Sequence, residues 1–121
     1  MGMRSRRLLS VAVVLLAVLA SGPALADGFL SAYEDLPLAP GLTEIEGSGL
    51  SFDSPSGRIV EAYAEGKVTA AAVLGFYATT LPQLGWTRES DTLYRRDPEE
   101  LRVEPTADGA SMVVHFTISP E

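Results

Sequence analysis

An α+β fold, with one helix packed on an antiparallel sheet, is predicted by three features of the sequence. Residues 69–84 place Val73, Phe76, Tyr77, Thr80, Leu81 and Leu84 at alternating intervals of three and one, the period of a helix face. Residues 111–119 alternate, with Met112, Val114, Phe116 and Ile118 on one side and Val113, His115 and Thr117 on the other. Turn-forming clusters at 53–57, 90–91, 97–100 and 108–109 divide the rest into strand-length runs. The predicted order is β-β-α-β-β-β-β, preceded by a leader and an extended arm.

The leader is residues 1–26. Arg4, Arg6 and Arg7 open it, Leu8 to Ala20 is almost unbroken apolar sequence, and Ala24-Leu25-Ala26 is a small-x-small cleavage site. That is the three-part pattern of a secretory signal peptide, with cleavage expected after Ala26. The apolar run falls short of the ~20 residues that span a bilayer, so no stable membrane anchor is expected after cleavage. Ser5-Arg6-Arg7 also fits the start of a twin-arginine signal, but the strongly apolar core favours the general secretory route. The expected location is periplasmic or secreted.

Cleavage changes the charge. All 16 acidic residues follow Ala26, whereas 3 of the 9 basic ones precede it, leaving 16 acids against 6 bases, a formal −10 over 95 residues. Such a surface repels nucleic acid and anionic lipid. The chain contains no cysteine, which removes disulfides, lipid attachment and thiolate chemistry.

Residues 27–48 are expected to form an extended arm and linker. Pro37 and Pro40 favour a polyproline-like path. Leu36, Leu38 and Leu42 are too apolar for a free tether, so the arm either covers the domain's core or docks a partner that reads extended Pro-rich strands. Leu36, Pro37, Leu38, Pro40 and Leu42 are the candidate partner contacts. Gly47-Ser48-Gly49 reads as a flexible joint.

The single domain is expected over 49–121. Leu50-Ser51-Phe52 is a short strand, and Asp53 to Gly57 a dense turn. Arg58 to Ala64 is the next strand, its small residues Val60, Ala62 and Ala64 chosen as the core side so that the helix approaches closely. The helix then starts at Thr69, which can cap it, and runs through Ala70, Ala71 and Ala72, the best helix formers. Pro82 costs about 3 kcal/mol in a helix interior, so a regular helix to Thr80 and a tightened last turn through Leu84 are expected, with Gly85 as the left-handed terminator.

A meander follows, with strands at 86–89, 92–96, 101–105 and 111–119. A two-residue turn at Asp108-Gly109 pairs Leu101 with Phe116, Val103 with Val114, Arg102 with His115 and Glu104 with Val113, keeping apolar residues on one side. A two-residue turn at Pro98-Glu99 likewise sets Tyr94 opposite Val103 and on the core side.

Asp35-Leu36-Pro37-Leu38-x-Pro40-Gly41-Leu42, Phe52-Asp53-Ser54-Pro55-x-Gly57-Arg58-Ile59-Val60-Glu61, Phe76-Tyr77 and Leu81-Pro82-Gln83-Leu84-Gly85-Trp86 together resemble an uncharacterised family of small secreted proteins of alphaproteobacteria. The resemblance covers most of the chain after Ala26. It implies a bacterial periplasmic α+β domain and assigns no catalytic or binding residue.

The residues themselves supply no catalytic constellation. His115 is the single histidine, on the outward side of the last strand beside Arg102 and Glu104, with no serine in a strained nucleophile turn. No spacing suits a metal, a calcium loop or a phosphate cradle, so no cofactor or metal site is expected. Arg102, Glu104 and His115 are the polar candidates on the open sheet face. Two readings follow. The first is a non-enzymatic periplasmic accessory domain that binds an unknown protein through its open sheet face or its arm. The second is a small-ligand or small-enzyme domain with a pocket between helix and sheet, and Tyr63, Tyr77, Trp86 or His115 at its mouth. A homodimer through an edge strand is a further arrangement the sheet permits.

Overall fold

In the computed structural model the described residues are 28–121; the leader and its cleavage site lie outside them. Seven strands form one antiparallel sheet: β1 (Thr43–Glu44), β2 (Leu50–Ser54), β3 (Gly57–Gly66), β4 (Thr87–Arg88), β5 (Leu93–Arg96), β6 (Glu99–Asp108) and β7 (Ser111–Pro120). Helix α1 (Ala70–Thr80) and a 3-10 turn (Leu81–Leu84) stand between β3 and β4. The spatial order is β1-β3-β7-β6-β5-β4, with β2 also paired to β3. The α+β class holds, with three strands rather than two before the helix.

Helix α1 begins and ends where local chemistry dictates. Thr69 accepts from the Ala72 N–H at 3.0 Å, capping the first turn. The chain tightens to 3-10 geometry at Leu81-Pro82, and Gly85 closes it in the left-handed region (φ 92°). Val73, Tyr77 and Leu81 form the fully buried stripe; Phe76 and Thr80 flank it and Leu84 is exposed. The opposite side is Ala71, Ala72, Gly75 and Thr79, small rather than charged. Tyr77 meets Phe116 of β7 edge to face at 5.6 Å. The helix makes its broadest sheet contact with β6. Val60, Ala62 and Ala64 are fully buried in the common core, so their side of β3 is the predicted one.

The last hairpin keeps the predicted faces but not the predicted partners. Asp108 pairs with Ser111, so the turn is Gly109-Ala110, and Leu101 lies opposite Ile118 and Val103 opposite Phe116. Gly109 has φ 61° and Ala110 does not, the arrangement of a type II′ turn with glycine first rather than a type I′ turn. Moving the turn by one residue shifts every pair by two, which preserves the side each residue faces. Arg102 therefore lies opposite Thr117, and His115 lies opposite Glu104. The preceding hairpin shifts in the same way: Tyr94 faces Leu101, not Val103, and is buried on the core side, with a cis peptide at Asp97-Pro98 in the turn.

Residues 28–42 do not run as an extended arm. The segment folds back through a bridge between Phe29 and Pro37, with Leu30 N–H to the Leu36 carbonyl at 3.0 Å and Leu38 N–H to the Gly28 carbonyl at 2.8 Å. Leu30, Tyr33, Leu36, Leu38, Ala39 and Leu42 turn inward and join the core. The cause is apolar side chains that find burial within their own chain. The Gly-Ser-Gly joint is likewise tied down. Ser48 Oγ accepts from the Tyr63 N–H at 3.1 Å and reaches the Tyr63 carbonyl at 3.2 Å, bridging the gap between β1 and β2 on the same edge of β3.

Candidate functional site

The helix and residues 28–42 cover one side of the sheet, and the other side is open. Alternation fixes what the open side carries: Leu50 and Phe52 from β2, Ile59, Glu61, Tyr63 and Glu65 from β3, Val113, His115 and Thr117 from β7, and Arg102, Glu104 and Thr106 from β6. None of these is fully buried. Register arranges them in rows. Tyr63, His115 and Glu104 lie directly opposite one another across three strands, and Leu50, Glu61, Thr117, Arg102 and Leu93 form the adjacent row.

Tyr63 and His115 stack face to face at 4.3 Å and 6°. His115 Nε2 lies 3.0 Å from Glu61 Oε1 and 3.3 Å from Thr117 Oγ1. A carboxylate only accepts, so the Nε2 proton points at Glu61. Beside the stack is an open depression of about 500 Å³, lined by Tyr63, Glu104, Thr106, Asp108, Val113 and His115. The side chains of Glu104, Asp108 and Glu65 have no hydrogen-bond or ion-pair partner among the described residues. At the β5 end of the same face the balance is different. Arg95 holds Glu89 at 2.8 Å and both Glu100 and Glu121 at 3.2 Å, and the hydrogen bond it donates to Glu89 raises the arginine's pKa further. The carboxylates at that end are engaged by Arg95, whereas Glu65, Glu104 and Asp108 at the Tyr63 end contact no base among the described residues.

A second depression, of about 400 Å³, lies along Ser31, Ala32, Tyr33, Glu34, Asp35 and Arg58. Its polar groups, Glu34 apart, are engaged in holding the 28–42 segment. The Tyr33 hydroxyl donates to Glu99 at 3.1 Å and accepts from Arg96 at 2.7 Å, and Arg58 covers its ring at 4.9 Å. Burial and the Glu99 charge raise the pKa of this tyrosine, with Arg96 opposing them. The Tyr63 depression is the better candidate because its carboxylates are uncommitted.

The residues named from the sequence divide between the two sides. Glu104 and His115 do share the depression, and Arg102 sits on the same face one row away. Leu36, Pro37, Leu38 and Leu42 are buried within the chain's own core, and Pro40 alone of that group is exposed. Tyr77 and Trp86 are buried on the helix side, so they share no pocket mouth with Tyr63 and His115. The Glu61 and Thr117 contacts to His115 were missed, although the outward alternation of β3 and β7 carried that signal. Among the described residues no three His, Asp or Glu side chains converge as metal ligands. No protein-family model, curated protein or solved structure matches the chain.

Proposed function

We propose that this chain is exported to the bacterial periplasm as a non-enzymatic accessory domain that binds another protein through the open face of its sheet. The leader-like residues 1–26 support the export half of the reading. The binding half rests on one observation: the uncovered side of the sheet presents Leu50, Phe52 and Tyr63 at 51%, 47% and 38% exposure, beside carboxylates that no base among the described residues answers. Exposed apolar and aromatic side chains grouped on one face characterise protein-contact surfaces. The charge on the Tyr63 end selects a partner with a cationic surface.

A photo-crosslinking amino acid placed at Phe52 in exporting cells, with Ala71 on the outer side of α1 as the control position, tests the binding half. The expected result is one discrete adduct from Phe52 that is missing from Ala71 and is abolished by Tyr63→Asp. Identical adducts from both positions, or none from Phe52, would defeat the reading. Mass spectrometry of the periplasmic fraction should find a mature chain starting at Asp27; a chain retained in the cytoplasm with its leader intact would remove the export half.

A further inference from the structure

We infer that the depression beside the Tyr63–His115 stack takes a lysine or arginine side chain from an extended basic segment of the partner. The inference rests on the open-face reading and specifies its chemistry. Three features converge. The first is the aromatic wall: Tyr63 remains 38% exposed while its ring is held parallel to His115 at 4.3 Å. An aromatic face attracts a cation, and a ring already fixed by stacking needs little ordering to do so. The second is the carboxylate pair at the rim. Glu104 and Asp108 line the depression without a side-chain partner among the described residues, and register places Glu65, opposite Val113, on the same side. The third is the contrast along the sheet. The three carboxylates around Arg95 each contact that arginine, whereas Glu65, Glu104 and Asp108 at the Tyr63 end contact no base among the described residues.

Two basic groups face the site, and neither cancels it. His115 is directed at Glu61. Arg102 lies opposite Thr117, diagonal to His115 and outside the depression. Starting one row away, the edge strand β2 carries exposed Leu50 and Phe52, which offer the apolar companion contacts that a lone cation would not use. That combination suits a polypeptide with alternating basic and apolar residues. Anionic partners are repelled by a chain carrying 16 acids against 6 bases beyond residue 26.

The test uses the purified protein, isotopically labelled for amide NMR, titrated with capped hexa-arginine and capped hexa-glutamate. Hexa-arginine is expected to shift the amides of Tyr63, Glu104, Thr106, Asp108, Val113 and His115, while hexa-glutamate shifts none. Glu104→Gln with Asp108→Asn should weaken hexa-arginine binding by about fivefold, the effect of removing two exposed charge contacts. Glu34→Gln with Asp53→Asn makes the same change in net charge elsewhere and should leave the affinity nearly unchanged. Arg102→Gln should strengthen binding. Equal weakening by both double variants, or shifts spread over the whole surface, would reduce the effect to diffuse attraction and overturn the inference. Failure of hexa-arginine to bind would overturn it while leaving the Phe52 crosslink result, and with it the open-face reading, intact. Localised peptide binding without any Phe52 adduct would uphold the cation site and remove the partner reading.

Discussion

Tyr77 carries its hydroxyl from the helix into the core, where it donates to the Pro37 carbonyl at 2.8 Å and accepts from the Ala39 N–H at 3.2 Å. A single side chain thus satisfies two backbone groups of the 28–42 segment that are out of reach of water. Tyr77→Phe keeps the ring and leaves both groups unpaired, which costs about 1–3 kcal/mol. Each kcal/mol lowers the melting temperature of a domain this small by about 4–8 °C, so calorimetry reads the effect directly. An unchanged melting temperature would show that the two contacts contribute nothing. The same hydroxyl predicts alkaline behaviour. Burial raises its pKa well above the ordinary tyrosine value, and the Ala39 N–H opposes only part of that rise. Its contribution to stability is therefore complete below about pH 10, the unfolded value, and is lost as pH climbs from there toward the folded value. The protein should lose stability above pH 10, and Tyr77→Phe should lose it less steeply. The slope is reduced rather than removed because Tyr33 is shifted in the same direction.

Strand and helix elements were legible where their signal is local. The alternation of β7 and the capped, alanine-rich start of α1 lie within a few consecutive residues, and both elements form as the sequence predicts. Register was only half legible. Hydrophobic alternation fixes which side a residue faces, but the offset depends on which two residues make the turn, and Asp108-Gly109-Ala110 contains two overlapping choices. Glycine in the first turn position won, and with it the Tyr63–His115–Glu104 row that the expected pairing would have separated. Strand β1 was not legible at all. Thr43 and Glu44 are two residues held by pairing with Glu65 and Ala64, a tertiary fact with no periodicity to announce it. What allows that pairing is the end of β3. A Cβ on Gly66 would collide with the backbone carbonyl of Gly41, which itself has φ 88°. Gly66→Ala should therefore force the 40–42 turn away from the sheet and cost roughly 2 kcal/mol or more, in the range of severe steric substitutions. Denaturant melts check this, and amide exchange should quicken first at Leu42 and Thr43. A variant as stable as the parent would mean that the turn shifts freely.

Stability of the complete fold turns on whether residues 28–42 belong to the core or merely lie against it. Among the described residues, six of the nineteen buried hydrophobic ones come from this segment, and four of those six are leucines that are nearly or wholly inaccessible to solvent. Truncating one buried leucine to alanine costs about 2–5 kcal/mol, so losing four amounts to roughly 8–20 kcal/mol before any hydrogen bond is counted. A domain of this size has about 5–14 kcal/mol in total. The Tyr77 hydroxyl and one nitrogen of the Arg96 guanidinium have their partners in the same segment, and Gly66 lies too close to its Gly41 carbonyl to carry a side chain. Residues 49–121 alone, the boundary that composition suggested, should therefore fail to fold. Without disulfides, nothing else in the chain compensates. The expected signature is collapsed amide dispersion in NMR and strong binding of a hydrophobic dye, both reversed when a separate peptide of residues 27–48 is added in excess. A cooperative thermal transition in the truncated chain by itself would place the segment outside the core and return it to the role of a detachable arm. The sheet's open face needs the opposite side sealed to stay ordered, so the proposed binding face depends on residues 28–42 holding their place in the core.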